Sequence, residues 1–258
     1  MTVAAGELSR RRLATPETAV LTALTAAAWV TTFALSRGMS SMTGTMGMGT
    51  LEFVPAWTLM MVAMMLPAVG VTGSIYARTI ITNRVSRLGG FVTGYLVVWA
   101  LSGLPAFGLA RLAGELTTSR PAVSHELAVG LFALCGIYQL SPLKDRCLAH
   151  CRSPLGLLMR YASYRGQFRD LRAGLHHGAY CLACCWTLMA LLIAVGVMNL
   201  LAMVGLTVLI VAEKLWARGP WAGRLAGVAS VGLAIALIWV PSLAPGLDPG
   251  QMGHIMGS

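Results

Sequence analysis

Residues 178–213 read GAYCLACCWTLMALLIAVGVMNLLAMVGLTVLIVAE, and the first charge among them is Glu213. A helix needs about 20 apolar residues to cross a bilayer. The stretch is too long for one span and long enough for two short ones. Gly196 and Asn199, near its middle, are turn formers. The stretch therefore predicts a helical hairpin, divided as 178–196 and 198–213.

Working outward, further apolar runs occupy about 17–36, 53–73, 89–111, 124–142 and 221–241. The total is seven predicted helical spans. A β-barrel would instead show short alternating segments. Composition agrees: the 258 residues are 57% hydrophobic and 11% charged, with a mean hydropathy of +0.73. A soluble domain is about a quarter charged, so an ordinary globule is excluded, and so is a disordered chain. The class is all-α, a polytopic transmembrane bundle forming one integral membrane domain over 1–258.

The net charge of +10 could serve nucleic acid, but in so apolar a chain a lipid headgroup is the better partner. Clusters at 10–12, 78–87, 144–172 and 214–224 carry sixteen of the nineteen Lys and Arg, whereas Arg37, Arg111 and Arg120 fall on the other side. The positive-inside rule then predicts a cytoplasmic N-terminus and an external C-terminus. It makes 143–177 a basic cytoplasmic loop, 37–52 a Met-rich external loop and 242–258 an external tail. Arg10-Arg11-Arg12 before an apolar run could open a signal peptide. The run is long for that, and Arg37 follows it instead of a small-residue cleavage site, so a retained first span is expected. Trp57-Thr58-Leu59-Met60 recurs as Trp186-Thr187-Leu188-Met189, a spacing that would relate spans 1–3 to 4–6 as an inverted repeat. No Asp, Glu, Lys or Arg lies deep in a predicted span, which argues against an ion-coupled carrier of polar solutes.

Five of six cysteines, Cys147, Cys151, Cys181, Cys184 and Cys185, fall at the predicted cytoplasmic edge. A disulfide framework is not expected in a reducing compartment. Cys147 and Cys151 are four apart. Cys184 and Cys185 follow Cys181 at i+3 and i+4, and His177 precedes it at i−4, so on a helix these four share one face. Thiols gathered with imidazole suit Cu(I), Zn(II) or an iron–sulfur cluster. His150, between Cys147 and Cys151, is a weaker candidate, and His176 is balanced between ligand and headgroup contact. The plain alternatives are thiol redox, packing, or a structural Zn(II) that pins the inner loop. Cys135, alone inside a span, reads as a small buried hydrophobe.

The methionines are placed unevenly. Met39, Met42, Met46 and Met48 crowd the predicted external loop, and Met252 and Met256 flank His254 in the tail. Thioethers select Cu(I) among common metals. In the second span Met60/Met64 and Met61/Met65 form two adjacent i, i+4 ridges ahead of Pro67 and Gly70. Core packing explains those ridges taken alone. With the loop and the cysteines they make a gradient from external thioether to cytoplasmic thiolate, along which Cu(I) would move to stronger donors.

Three stretches carry a family resemblance: Trp57 to Pro67 (WTLMMVAMMLP), Tyr138 to Arg152 (YQLSPLKDRCLAHCR), and Gly178 to Met189 (GAYCLACCWTLM), with Glu213-Lys214 as a fourth point. They resemble a bacterial family of uncharacterised multi-span proteins described as predicted metal-binding integral membrane proteins, some labelled copper chaperone. The resemblance implies a membrane protein with a suspected metal site, and no established activity. The Met-rich loop and the tail lie outside it.

No nucleotide loop, Ser–His–Asp arrangement or intramembrane carboxylate pair is present, and His125-Glu126 lacks the second His of a zinc protease. The reading is a non-enzymatic, copper-binding membrane protein that captures Cu(I) through external Met groups and holds or passes it at a cytoplasmic Cys/His cluster. The alternatives are an assembly factor that metallates a membrane cuproenzyme, and a thiol redox enzyme. A partner copper chaperone and a homo-oligomer are both compatible with it; nucleic acid is not expected.

Overall fold

The computed structural model of the chain describes residues 16–37, 44–78, 80, 83–153, 156, 159–161, 163–240 and 247. Those residues form eight helices and no strand: α1 Pro16–Ser36, α2 Thr50–Arg78, α3 Arg84–Ser119, α4 Pro121–Gln139, α5 Pro142–Arg152, α6 Arg169–Val195, α7 Leu200–Leu215 and α8 Gly219–Trp239. The sequence places their boundaries. Pro121 and Pro142 sit in the first turns of α4 and α5, where a missing N–H costs nothing. Ser141 and Asn199 cap α5 and α7, accepting from the backbone N–H of Lys144 and Ala202 at 3.3 and 3.1 Å. Gly196 ends α6 at φ +108°, a conformation side chains resist, so the expected hairpin turn is where Gly196 and Asn199 put it.

Six helices are long and apolar enough to cross a membrane: α1, α2, α3, α4, α6 and α8. By length and composition this is a membrane protein. The expected sixth span is α7, whose 16 residues reach about 24 Å, short of the roughly 30 Å hydrocarbon core. Two helices outrun their apolar patterns. α3 has 36 residues, and α6 begins at Arg169, nine residues ahead of the expected span. The segment read as a basic loop over 143–177 is therefore largely structured, carrying α5 and the first turns of α6.

α6 and α2 form the centre, with 61% and 56% of their apolar windows buried against 22–33% for the other four. α6 packs on α3, α4, α5 and α7, and α2 on α1, α3 and α7. The α3–α6 crossing is the most extensive and requires glycine. A Cβ at Gly94 would overlap the Leu171 carbonyl, and one at Gly174 the Phe91 carbonyl. Small residues that let backbones meet are what drives helix packing where lipid removes the hydrophobic incentive. Trp57 donates to Ser102 Oγ at 3.1 Å, tying α2 to α3. At the end where α6 begins, Asp170 accepts from Tyr76 at 2.5 Å and pairs with Arg87 at 3.0 Å, joining α2, α3 and α6.

The two copies of the Trp-Thr-Leu-Met motif occupy different surroundings. Trp57 is 3% exposed in the core, whereas Trp186 is 39% exposed and packs edge-on against Tyr138.

Candidate metal centre

α6 carries Cys181, Cys184 and Cys185 on its buried stripe, with His177 one turn earlier on the same face. The i+3 and i+4 spacings did what helical geometry requires. α5 lies across this end of α6 and contributes Cys151, which is buried, and Cys147, which is half-buried. Cys151 is close enough to Cys184 for the two thiols to influence each other's protonation, and Cys147 is near Cys184 and Tyr138. All six cysteines are free thiols. Five of them, from two helices with no sequence contact, meet at one buried place. Cys135 is elsewhere, in the α4–α8 packing, where Ser230 Oγ approaches its sulfur at 3.8 Å.

The sulfurs are gathered without forming a coordination shell. Among the described residues no group of three or more His, Cys, Asp or Glu side chains is arranged to hold a metal ion. The reason is visible in their hydrogen bonds. Cys184 and Cys185 turn their S–H groups onto the Cys181 carbonyl at 3.1 and 2.8 Å. The Cys181 sulfur is held by Lys214 Nζ at 2.8 Å and lies 3.1 Å from Tyr95 Oη. Lys214 is thus a buried cation set against the thiols, in the kind of place that a soft metal cation would take. The donor types, soft sulfurs with imidazole beside them, suit Cu(I), Zn(II) or an iron–sulfur cluster.

A second buried charge system anchors α5. Lys144 Nζ and Glu213 Oε1 are 2.6 Å apart with both side chains 1% exposed. Gln139 Nε2 donates to the same oxygen at 3.4 Å. Gly223 on α8 makes the room, since a Cβ there would come within 2.8 Å of that oxygen. Arg152 adds a bond to the Glu213 carbonyl. The ends of α5 and α7 are thereby pinned together, and α7 in turn presents Lys214 to Cys181.

The histidines divide into two groups. His177 is 3% exposed and packs between the Phe91 and Tyr95 rings, with Nδ1 lacking a hydrogen-bond partner. His150 turns into an aromatic group instead: its ring stacks on Tyr180 at 3.8 Å and meets His176 edge-on at 5.2 Å. Burial, assisted by the charge of Arg160, holds the His150 imidazole below its ordinary pKa, so it is neutral at pH 7. The hydrogen bond to Cys184, with burial, pushes the Cys151 thiol well up. Burial also raises Cys147.

Met46, expected in an external loop, is packed, whereas the ridge methionines lie in the core as their spacing alone suggests. Met46 is 6% exposed and belongs to the core, because its segment is docked. Gly44, at φ +67°, brings its backbone against Gly114 so closely that a Cβ would lie 2.9 Å from the Gly114 Cα. The Met46 side chain is therefore packed inside the core. Met42 and Met39, like the tail with Met252 and Met256, lie outside the described residues. Met60, Met61, Met64 and Met65 are all at most 1% exposed within the packed core, the gap-filling use of methionine.

The sequence reading missed Tyr95, and it placed Glu213-Lys214 among the residues of the family resemblance without giving them a part at the thiols. Only the Glu-Lys pair closing an apolar run could have signalled them. Residues 54–237 match the profile of a family described as copper chaperone, PpoB2. No curated protein and no solved structure matches the chain. The match runs from near the start of α2 to the last turn of α8 and includes every cysteine, and the chain belongs to the PpoB2 copper chaperone family.

Proposed function

We propose that this protein is a copper-handling component of the bacterial inner membrane that takes Cu(I) at the thiol cluster of Cys147, Cys151, Cys181, Cys184 and Cys185, with His177 beside it, and passes it on. The carrying observation is the convergence of five unpaired thiols from α5 and α6 at one buried end of the bundle in a copper chaperone family chain. Thiolates prefer Cu(I) among soft ions. Lys214 holds the place of a cation until the metal arrives, so uptake exchanges one positive charge for another in a site that water cannot screen. The charge bias of the Lys and Arg clusters supports a cytoplasmic location for the thiols. With Met46 packed into the core, the reading rests on the thiols rather than on capture by an external Met loop. Delivery to a membrane cuproenzyme and passage across the bilayer share this site; the buried Met60–Met65 ridges are the route that passage would use.

The test is metal content of protein purified anaerobically in detergent, compared with a Cys181/Cys184/Cys185→Ser variant. Copper near one per chain, lost in the variant, supports the reading. Zinc in its place means a structural clamp, and iron with acid-labile sulfide means electron transfer. No bound metal after loading with Cu(I) overturns it. A thiol redox role is the second reading, favoured by Lys214 against the Cys181 sulfur, since a cation in contact with sulfur is what a nucleophilic thiol uses. It requires a reversible two-electron couple in anaerobic thiol titration.

A further inference from the structure

Beside the thiols lies a second group that the copper reading does not use. His150 on α5 and His176 on α6 meet edge-on across the α5–α6 contact, ring centres 5.2 Å apart and planes inclined at 60°. His150 Nε2 and His176 Nδ1 are both buried and have no hydrogen-bond partner. Tyr161 packs perpendicular to His176 at 5.9 Å, and its hydroxyl is likewise buried and unpartnered. A buried polar atom without a partner costs about 1–3 kcal/mol, and such atoms are rare in native structures. Three in one cluster are three potential donor atoms for a cation, none of them engaged in a hydrogen bond.

Packing alone explains the Tyr180 stack, which would hold equally well with phenylalanine at 150. It does not explain two imidazoles turned together with nitrogens unsatisfied. Two imidazoles on one ion, each with a metal–nitrogen distance of about 2.0–2.1 Å at a near-tetrahedral angle, set their ring centres roughly 5 Å apart. The observed 5.2 Å equals that separation and also lies within the roughly 4.5–7 Å of ordinary ring pairs, so the weight falls on the unsatisfied nitrogens.

We propose that His150 Nε2 and His176 Nδ1 form a second metal site, for a single copper ion held by imidazole, with Tyr161 as the third donor. It rests on the proposed function only for the choice of metal; Zn(II), which imidazole also suits, is the competing occupant. Arg160 places an adverse charge near both rings, but its side chain is exposed, where solvent screens it. Cu(I) prefers soft sulfur to imidazole nitrogen, so the site is weaker than the thiols, and His150 precedes Cys151 directly. Copper held by nitrogen would be positioned to move downhill to sulfur.

The experiment uses the full chain in detergent with its thiols alkylated, and Cu(II) as the probe. We expect one Cu(II) per chain with electron paramagnetic resonance coupling to two nitrogens. His176→Gln and His150→Gln should each weaken binding at least tenfold and remove that two-nitrogen pattern. No retained Cu(II), or the same signal in both variants, overturns the proposal. Should alkylation unfold the chain, X-ray absorption of the unmodified protein decides the matter. A first equivalent of Cu(I) should show sulfur and a second should add nitrogen or oxygen scattering that His176→Gln abolishes. A missing sulfur shell fails the thiol reading alone, and a missing nitrogen shell fails this one alone.

Discussion

Replacing Lys144 by Met would leave Glu213 buried at 1% exposure with its 2.6 Å partner gone. Removing one member of a buried ion pair costs about 3–5 kcal/mol, because a charge is left without compensation, whereas replacing both by apolar groups is about neutral. At about 2–4 °C per kcal/mol for a chain of this size, Lys144→Met should lower the unfolding midpoint in detergent by roughly 6–20 °C. The Lys144→Met/Glu213→Leu double variant should recover most of it. The pair also pins α5, so the single variant should expose Cys147 and Cys151. Maleimide labelling of those two thiols should accelerate at least tenfold, while Cys135, in the separate α4–α8 packing, should label no faster. The assay is a thermal melt run alongside a labelling time course on the same preparations. A single variant as stable as wild type, or a double variant as unstable as the single, would refute the idea that this pair holds α5 over α6.

The other expectations concern the crossing, the route and the protons. Gly174→Ala should cost about 1–3 kcal/mol, the overpacking range, because the new methyl falls on the Phe91 carbonyl; a thermal melt at wild-type level would show that α3 and α6 do not cross this closely. Met60→Leu with Met64→Leu conserves volume and should cost less than about 1.5 kcal/mol. If copper crosses the bilayer this variant should abolish uptake into vesicles and leave thiol-site binding intact, and an unchanged uptake rate discards the route. Cys147 and Cys151 have raised pKa values, so both are protonated near neutral pH and must lose protons to bind metal. Apparent Cu(I) affinity should therefore rise with pH across 6–8, by up to about tenfold per pH unit for each proton released, with proton release measurable in weakly buffered solution. A flat profile would mean that neither thiol is a ligand.

What could be read from the chain alone was whatever depends on local pattern. Apolar runs gave the helices, and Gly196 with Asn199 gave the α6–α7 turn, because hydropathy and backbone strain are properties of a residue and its neighbours. The spacing of Cys181, Cys184 and Cys185 gave one face of α6 for the same reason. Helix lengths beyond the apolar pattern escaped: α6 starts at Arg169 because Asp170 has Tyr76 and Arg87 from other helices to bind, and no hydropathy window contains them. Met46 looked like a free ligand until the Gly44–Gly114 approach docked its segment onto α3. The separation of His150 from the thiols, the placement of Lys214 and Tyr95 against Cys181, and the burial of Lys144 with Glu213 are all decided between helices. The sequence determined which groups exist and on which helical face they stand. The tertiary structure decided which faces meet, because crossings such as Gly94 on Leu171 depend on backbone contacts between residues far apart in the chain.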